Sequence, residues 1–251
     1  MAILRALLFD FGGTLDCPIH WLDRFLSHYR ACGLAIERAE LDPAFSRATA
    51  QAYRAAGTIR RIGLREIGLR ETVDFLLRAQ IDYLSCLGPE HLGERFQQMG
   101  PAGVADLRNR IGAAFAEESL RGMKRSRELI VALKRRFGLG VVSNFYGNLD
   151  RVLAEGGMLE LMDVTVDSSA VGIFKPDPRI FLTALAALGL SSRPDEVAMV
   201  GDSPDNDCES ARRAGMKAIW LCSPPDRAAR RDFSDFADLK INALEELLKL
   251  Q

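Results

Sequence analysis

Ile3-Leu4-Arg5-Ala6-Leu7-Leu8-Phe9-Asp10-Phe11-Gly12-Gly13 decides how the rest of the chain is read. The apolar run from Ile3 to Phe9 stops at an acid and a glycine pair, which is the form of a buried strand running into a turn. The chain beyond this turn does not continue the sheet. From Trp21 to Ser119 the apolar residues fall at helical spacing, as in Leu22, Phe25, Leu26 and Tyr29, and again in Val73, Leu76, Leu77, Ile81 and Leu84. Leu41–Ala56 and Val104–Ala116 read as two more helices, with Gly33, Gly57, Gly88-Pro89 and Gly100-Pro101 as punctuation. A pentapeptide repeat, Ile62–Glu66 and Ile67–Glu71, reads as a loop feeding a helix. A five-residue step turns a helix by about 500°, so the two copies would face different ways.

After residue 123 helices and strands alternate. The helices are Ser126–Arg136, Leu149–Glu155, Pro178–Leu188 and Cys208–Ala214. The strands end at Val142-Ser143, Val164–Val166, Met199-Val200, Ala218–Leu221 and Leu239–Ile241, and a C-terminal helix succeeds the last of them. Such alternation implies a parallel sheet covered on both faces. The expected fold is therefore α/β, a Rossmann-like parallel sheet interrupted after its first strand by an all-helical insert. Residues 1–16 and 122–251 form the core domain and residues 17–121 the insert.

Composition narrows the function. The 251 residues are 48% hydrophobic and 27% charged with a net charge of −1. No basic field is offered to a nucleic acid. No stretch reaches the roughly 20 apolar residues of a membrane span, and the N-terminus lacks the form of a signal peptide. Cys17, Cys32, Cys86, Cys208 and Cys222 are odd in number and widely spaced, as in a reducing compartment. His20, His28 and His91 show no zinc-ligand spacing. A cytoplasmic protein, monomer or homodimer, acting on a small molecule is expected.

In an open parallel sheet, ligands gather beyond the carboxyl ends of the strands. Four such ends here carry reactive groups: Asp10, Ser143, Asp202, and the loop holding Lys175. Asp10, Asp202 and Asp207 would bring three carboxylates together, which calls for a cation, and hard oxygen ligands favour Mg²⁺. Gly12-Gly13 lets backbone groups approach an anion. Thr14 and Ser143 offer hydroxyls, and Lys175 a point charge for a phosphoryl oxygen or for the nucleophile. A carboxylate can take up a phosphoryl group and release it to water.

These segments resemble the haloacid dehalogenase superfamily over nearly the whole chain. Leu7–Asp16, Val142-Ser143-Asn144, Gly172–Pro178, and Val200–Asp207 with Ala214-Gly215-Met216 are similar to its four motifs, in order. The position of the insert implies the helical C1 cap that selects substrate. Carried over, Asp10 is nucleophile and metal ligand, Asp202 binds Mg²⁺, Gly12 gives its carbonyl to the metal, and Asp207 supports the metal's water shell. Gly13, Thr14, Ser143, the amide of Asn144, and Lys175 hold the transferring group.

One departure stands out. Family phosphatases carry a second aspartate two residues after the nucleophile as acid and base; here that residue is Gly12. Such a group is worth roughly 10²–10⁴ in rate. Asp16 and His20 are candidate substitutes. The resemblance leaves open a phosphatase of a small phosphorylated metabolite, a dehalogenase whose halide leaves unprotonated, or a non-catalytic binding protein keeping the fold. A phosphonate hydrolase would need a cap lysine, and no lysine precedes Lys124. Arg60, Arg61, Arg65 and Arg70 could meet an anionic substrate from the insert.

Overall fold

The structure, a computed structural model, describes residues 3–59, 67–87, 92–222, 232 and 234–250. The chain divides into two compact units, residues 1–20 with 120–251, and residues 21–119.

The first unit is built on six parallel strands: β1 (Ala6–Phe9), β2 (Gly138–Ser143), β3 (Val164–Asp167), β4 (Val197–Gly201), β5 (Lys217–Leu221) and β6 (Leu239–Ile241), in the order β3-β2-β1-β4-β5-β6. Every strand expected from the sequence is present. β1 begins at Ala6 rather than Ile3, with main-chain bonds to the flanking segments starting at Arg5. Ile3 is 76% exposed, whereas every residue of β1 is buried. The run Ala6-Leu7-Leu8-Phe9 is apolar throughout because a central parallel strand is covered on both faces. Leu8, Val142, Val166, Met199, Ile180 and Phe181 belong to one core cluster of the sheet.

The helices of this unit are shorter than their periodicity suggests. α5 is Leu149–Glu155 as expected, while α6 (Ser168–Val171) follows β3 directly and α7 is Ile180–Ala187. The segment expected as helix Cys208–Ala214 begins instead as a wide turn, Pro204–Glu209, and becomes α-helical only as α8 (Ser210–Arg213). Pro204 and the Ser203 side chain, which accepts from the Asn206 amide, set up that turn. The last segment, Leu244–Lys249, is a 3₁₀ helix.

Among the described residues the second unit is helical: α1 (Trp21–Ala31), α2 (Arg38–Ile59), α3 (Leu69–Ser85) and the first part of α4 (Gly93–Leu133). The two helices expected at 104–116 and 126–136 are thus parts of one element. Gly100 kinks it, with φ 65° and ψ 174° ahead of Pro101. Arg24 is fully buried here; its guanidinium lies 3.8 Å from the Phe115 ring centroid and donates to Glu118, Ser119 and the Phe115 carbonyl. His28 also bonds Glu118, and with Arg24 it overcomes burial to hold that carboxyl down to about 2. A buried arginine is tolerated because its donors are met and its charge is paired. No helix among the described residues is long and apolar enough to cross a membrane.

Candidate active site

The strand order reverses at β1, with β2 on one side and β4 on the other. A crevice opens beyond the strand ends at such a point. Asp10 leaves β1 there, its amide donating to Val200 O at 2.9 Å. Ser143 ends β2, and Asp202 follows β4 directly.

Lys175 binds these elements together. Its ammonium is buried and donates to Asp10 Oδ1 at 2.7 Å, Asp207 Oδ1 at 2.6 Å and Val142 O at 3.0 Å. Three donors meet three acceptors, so the buried charge has no unmet proton. Burial alone would lower the lysine's pKa; the charges of Asp10 and Asp207 outweigh it and raise it. Asp207 is held from its other side by the Ser203 amide at 3.0 Å.

Carboxylate oxygens of Asp10, Asp202 and Asp207 lie within 4.8 Å of one another. Three acids against one ammonium leave excess negative charge. Burial, followed by repulsion from Asp207 and Asp10, lifts the Asp202 pKa well above the usual carboxylate value. Burial likewise pushes Asp207 up to about 6, with Lys175 opposing and Asp10 adding. A hard divalent cation satisfies this donor set: oxygen ligands only, net negative, partly open at Asp202.

Two glycines make the approach possible. Gly13 has φ +85°, and a Cβ there would meet Asp202 Oδ2 at 2.4 Å. A Cβ on Gly201 would lie 2.2 Å from Asp207 Oδ2. Gly12 differs, with φ −76° and ψ 122°, a conformation open to any residue. Its lack of a side chain is therefore not a backbone requirement.

The remaining expected residues have defined places. Asn144 and Lys175 exchange two bonds, Asn144 Nδ2 to Lys175 O and Lys175 N to Asn144 Oδ1, both 2.8 Å. Ser143 is buried at the mouth of β2. Thr14 is buried too, but its Oγ1 has no hydrogen-bond partner among the described residues. It lines a cavity of about 190 Å³ with Cys17, Gly122, Ser126 and Leu244, in which none of the three acids takes part. Asp16, one of the two candidate substitute acids, is fully buried, and its Oδ1 accepts the Gly13 amide at 2.9 Å, so it shapes the loop after Asp10. His20 is exposed at the end of the first unit. Of the arginines, 60, 61 and 65 fall outside the described residues; Arg70 donates to the Asn109 carbonyl at 3.0 Å.

Several contributors gave no usable signal in the sequence. The Val142 carbonyl is a backbone group, and the need for Gly201 appears only once Asp207 is seen against it. Trp220 pairs with Gly201 across β4 and β5 and donates its indole N–H to Asp202 O at 3.0 Å. Asp167 accepts from the Gly147, Leu149 and Ser169 amides and so ties down the loop after Asn144.

Comparison with known proteins identifies the family and agrees with this fold. Residues 4–215 match the family model of haloacid dehalogenase-like hydrolases. The phosphoserine phosphatase of Thermus thermophilus is 37% identical over 121 residues, 47% of this chain and 46% of that protein. Haloacid dehalogenase-like hydrolase domain-containing protein 3 of Homo sapiens is 29% identical over 231 residues, 88% of this chain and 83% of that one. The match thus spans less than half of the phosphatase but most of the human protein. Among solved structures, a dehalogenase in an intermediate complex superposes with a TM-score of 0.61 at 18% identity, covering 100% of this chain and 98% of its own.

Proposed function

The chain belongs to the haloacid dehalogenase-like hydrolases, and on that footing we propose that it is a cytoplasmic, Mg²⁺-dependent phosphatase of a small phosphorylated metabolite. One observation carries the reading: Asp10, Asp202 and Asp207 converge within 4.8 Å while a single lysine serves two of them. A halide-displacing site can use one carboxylate as nucleophile and a second to activate the water that hydrolyses the resulting ester; a third, with the excess negative charge, fits a bound cation better. Phosphatases among the relatives point the same way.

Asp10 is the nucleophile. Lys175 holds Oδ1, and Oδ2 is left to form the new O–P bond as the substrate's ester O–P bond breaks. The alcohol departs and the phosphoryl group rests on Asp10. Water then attacks phosphorus, breaking the Asp10–phosphorus bond and releasing inorganic phosphate. Bound Mg²⁺, held by Asp10, Asp202 and the carbonyl of Gly12 with Asp207 behind its water shell, would supply charge neutralisation at the phosphoryl oxygens. Ser143 and the amide of Asn144 orient that group, with Thr14 and Gly13 assigned to the same task by their place in the motif; the Gly13 amide is given to Asp16 Oδ1, so Gly13 contributes close backbone approach rather than a donor. Gly12 offers no proton, so the leaving oxygen takes one from solvent or from the substrate. The helical unit is proposed as the cap that selects substrate.

The test is a screen of aryl, acyl and alkyl phosphates and of haloacids, with and without Mg²⁺, on the wild type and Asp10→Asn. Mg²⁺-dependent phosphate release that Asp10→Asn abolishes, with the melting temperature retained, is the expected result. Haloacid turnover independent of Mg²⁺ would replace the phosphatase reading with a dehalogenase, and near-wild-type turnover in Asp10→Asn would move the nucleophile elsewhere.

A further inference from the structure

Lys175 sits in a loop, yet it must place one nitrogen on three acceptors across 2.6–3.0 Å. Its side chain has four rotatable carbons and no shape that fixes the ammonium by itself. Something must fix its backbone.

The side chain of Asn144 meets this requirement. A carboxamide is the only uncharged side chain that can both donate to and accept from one residue's main chain in a planar pair. Here it does both, taking the Lys175 amide and giving to the Lys175 carbonyl at 2.8 Å each. Asn144 is itself anchored on both sides. Before it lies Ser143, the last residue of β2, in register with Asp167. After it, Phe145 bonds Ser168 through its amide at 3.1 Å and Ser169 through its carbonyl at 2.6 Å. The chain of contacts therefore runs from the sheet, through Asn144, to the backbone of the lysine that grips Asp10.

We propose that the Asn144 side chain is a positioning residue, acting through the Lys175 backbone to hold the ammonium on Asp10 and Asp207. This is distinct from any contact its main-chain amide makes with substrate. It rests on the phosphatase reading only for its effect on rate, because the placement of Lys175 is measurable without turnover.

The experiment uses two readouts on the full chain. The first is the exchange-protected ¹H–¹⁵N resonance of the Lys175 ammonium, assigned by its loss in Lys175→Met. The second is kcat/KM on an aryl phosphate. Asn144→Leu keeps the shape and removes both bonds. Asn144→Asp keeps the acceptor but sets an oxygen against the Lys175 carbonyl. Thr165→Val is the control, removing a side-chain bond to Asp150 on the neighbouring strand without touching Asn144, Phe145 or Lys175.

Both Asn144 variants should lose or broaden the ammonium resonance, and kcat/KM should fall about 10²-fold, the scale of an ångström-sized misplacement. Thr165→Val should keep the resonance even where its melting temperature falls. A wild-type resonance in a folded Asn144→Leu or Asn144→Asp protein overturns the proposal, as does its equal loss in Thr165→Val. Should the wild type hydrolyse no phosphate ester, the resonance still decides the placement, so the two readings fail separately.

Discussion

Gly12→Asp installs the acid and base that the proposed phosphatase reading leaves missing, and the backbone accepts it. At φ −76° and ψ 122° an aspartate carries no conformational strain. Replacing glycine at a compatible position stabilises by about 0.4–1 kcal/mol through the unfolded chain. Against this stands a fourth carboxylate beside Asp10, Asp202 and Asp207. One uncompensated charge brought within ~6 Å costs on the order of 3 kcal/mol at an effective dielectric of about 20. The variant should therefore melt lower than wild type without cation and recover with Mg²⁺.

The kinetic consequence is specific to the leaving group. An aryl oxygen departs without help, whereas an alkyl oxygen needs a proton in the transition state. A positioned acid contributes about 10²–10⁴ in rate, equivalent to roughly 3–5 kcal/mol of barrier. Wild-type rates should fall steeply with leaving-group pKa. Gly12→Asp should flatten that dependence, raising alkyl-phosphate hydrolysis toward this range and aryl-phosphate hydrolysis little. The assay is kcat/KM across a leaving-group series at saturating Mg²⁺, with a melting curve on each protein. A well-folded Gly12→Asp protein with an unchanged slope would refute the reasoning, because the missing carboxyl would then not be what limits the site.

Further outcomes concern the carboxylate cluster and its glycines. Asp207, raised from 3.8 to about 6, and Asp202, raised as well, bind protons in the folded chain that the unfolded chain releases. Stability without cation should thus fall as pH rises from about 5 through 6, and saturating Mg²⁺ should remove the fall. Melting curves at pH 5 and 7.5 check the sign, and an Mg²⁺-free melting temperature that rises over this interval in wild type relative to Asp202→Ala would contradict it. Calorimetry should find Mg²⁺ binding in wild type and none in Asp202→Ala. Gly13→Ala should destabilise by about 1–3 kcal/mol and weaken Mg²⁺ binding, since its Cβ at φ +85° would press on Asp202. Gly12→Ala should instead be neutral to slightly stabilising, by up to about 1 kcal/mol in a stability assay.

The contrast between those two glycines shows where sequence reading ends. The sheet was legible because each strand is a short apolar run stopped by a polar residue, a pattern that covered parallel strands impose. The acids were legible because they stand at strand ends. Helix limits were not, since periodicity does not register a kink such as Gly100 or a wide turn such as Pro204–Glu209. The contact between Asn144 and Lys175 spans 31 residues of chain, and no local pattern announces it. Gly12 and Gly13 are chemically identical neighbours in one motif, yet only φ separates them. One is glycine because Asp202 leaves no room for a Cβ, so its identity belongs to the architecture of the site. The other sits in a conformation that any side chain could adopt, so the backbone does not fix its identity. On the proposed phosphatase reading, what the site hydrolyses must then tolerate a glycine at position 12. A substrate whose leaving group departs unassisted, or one that carries its own proton donor, meets that condition; a simple alkyl phosphate does not.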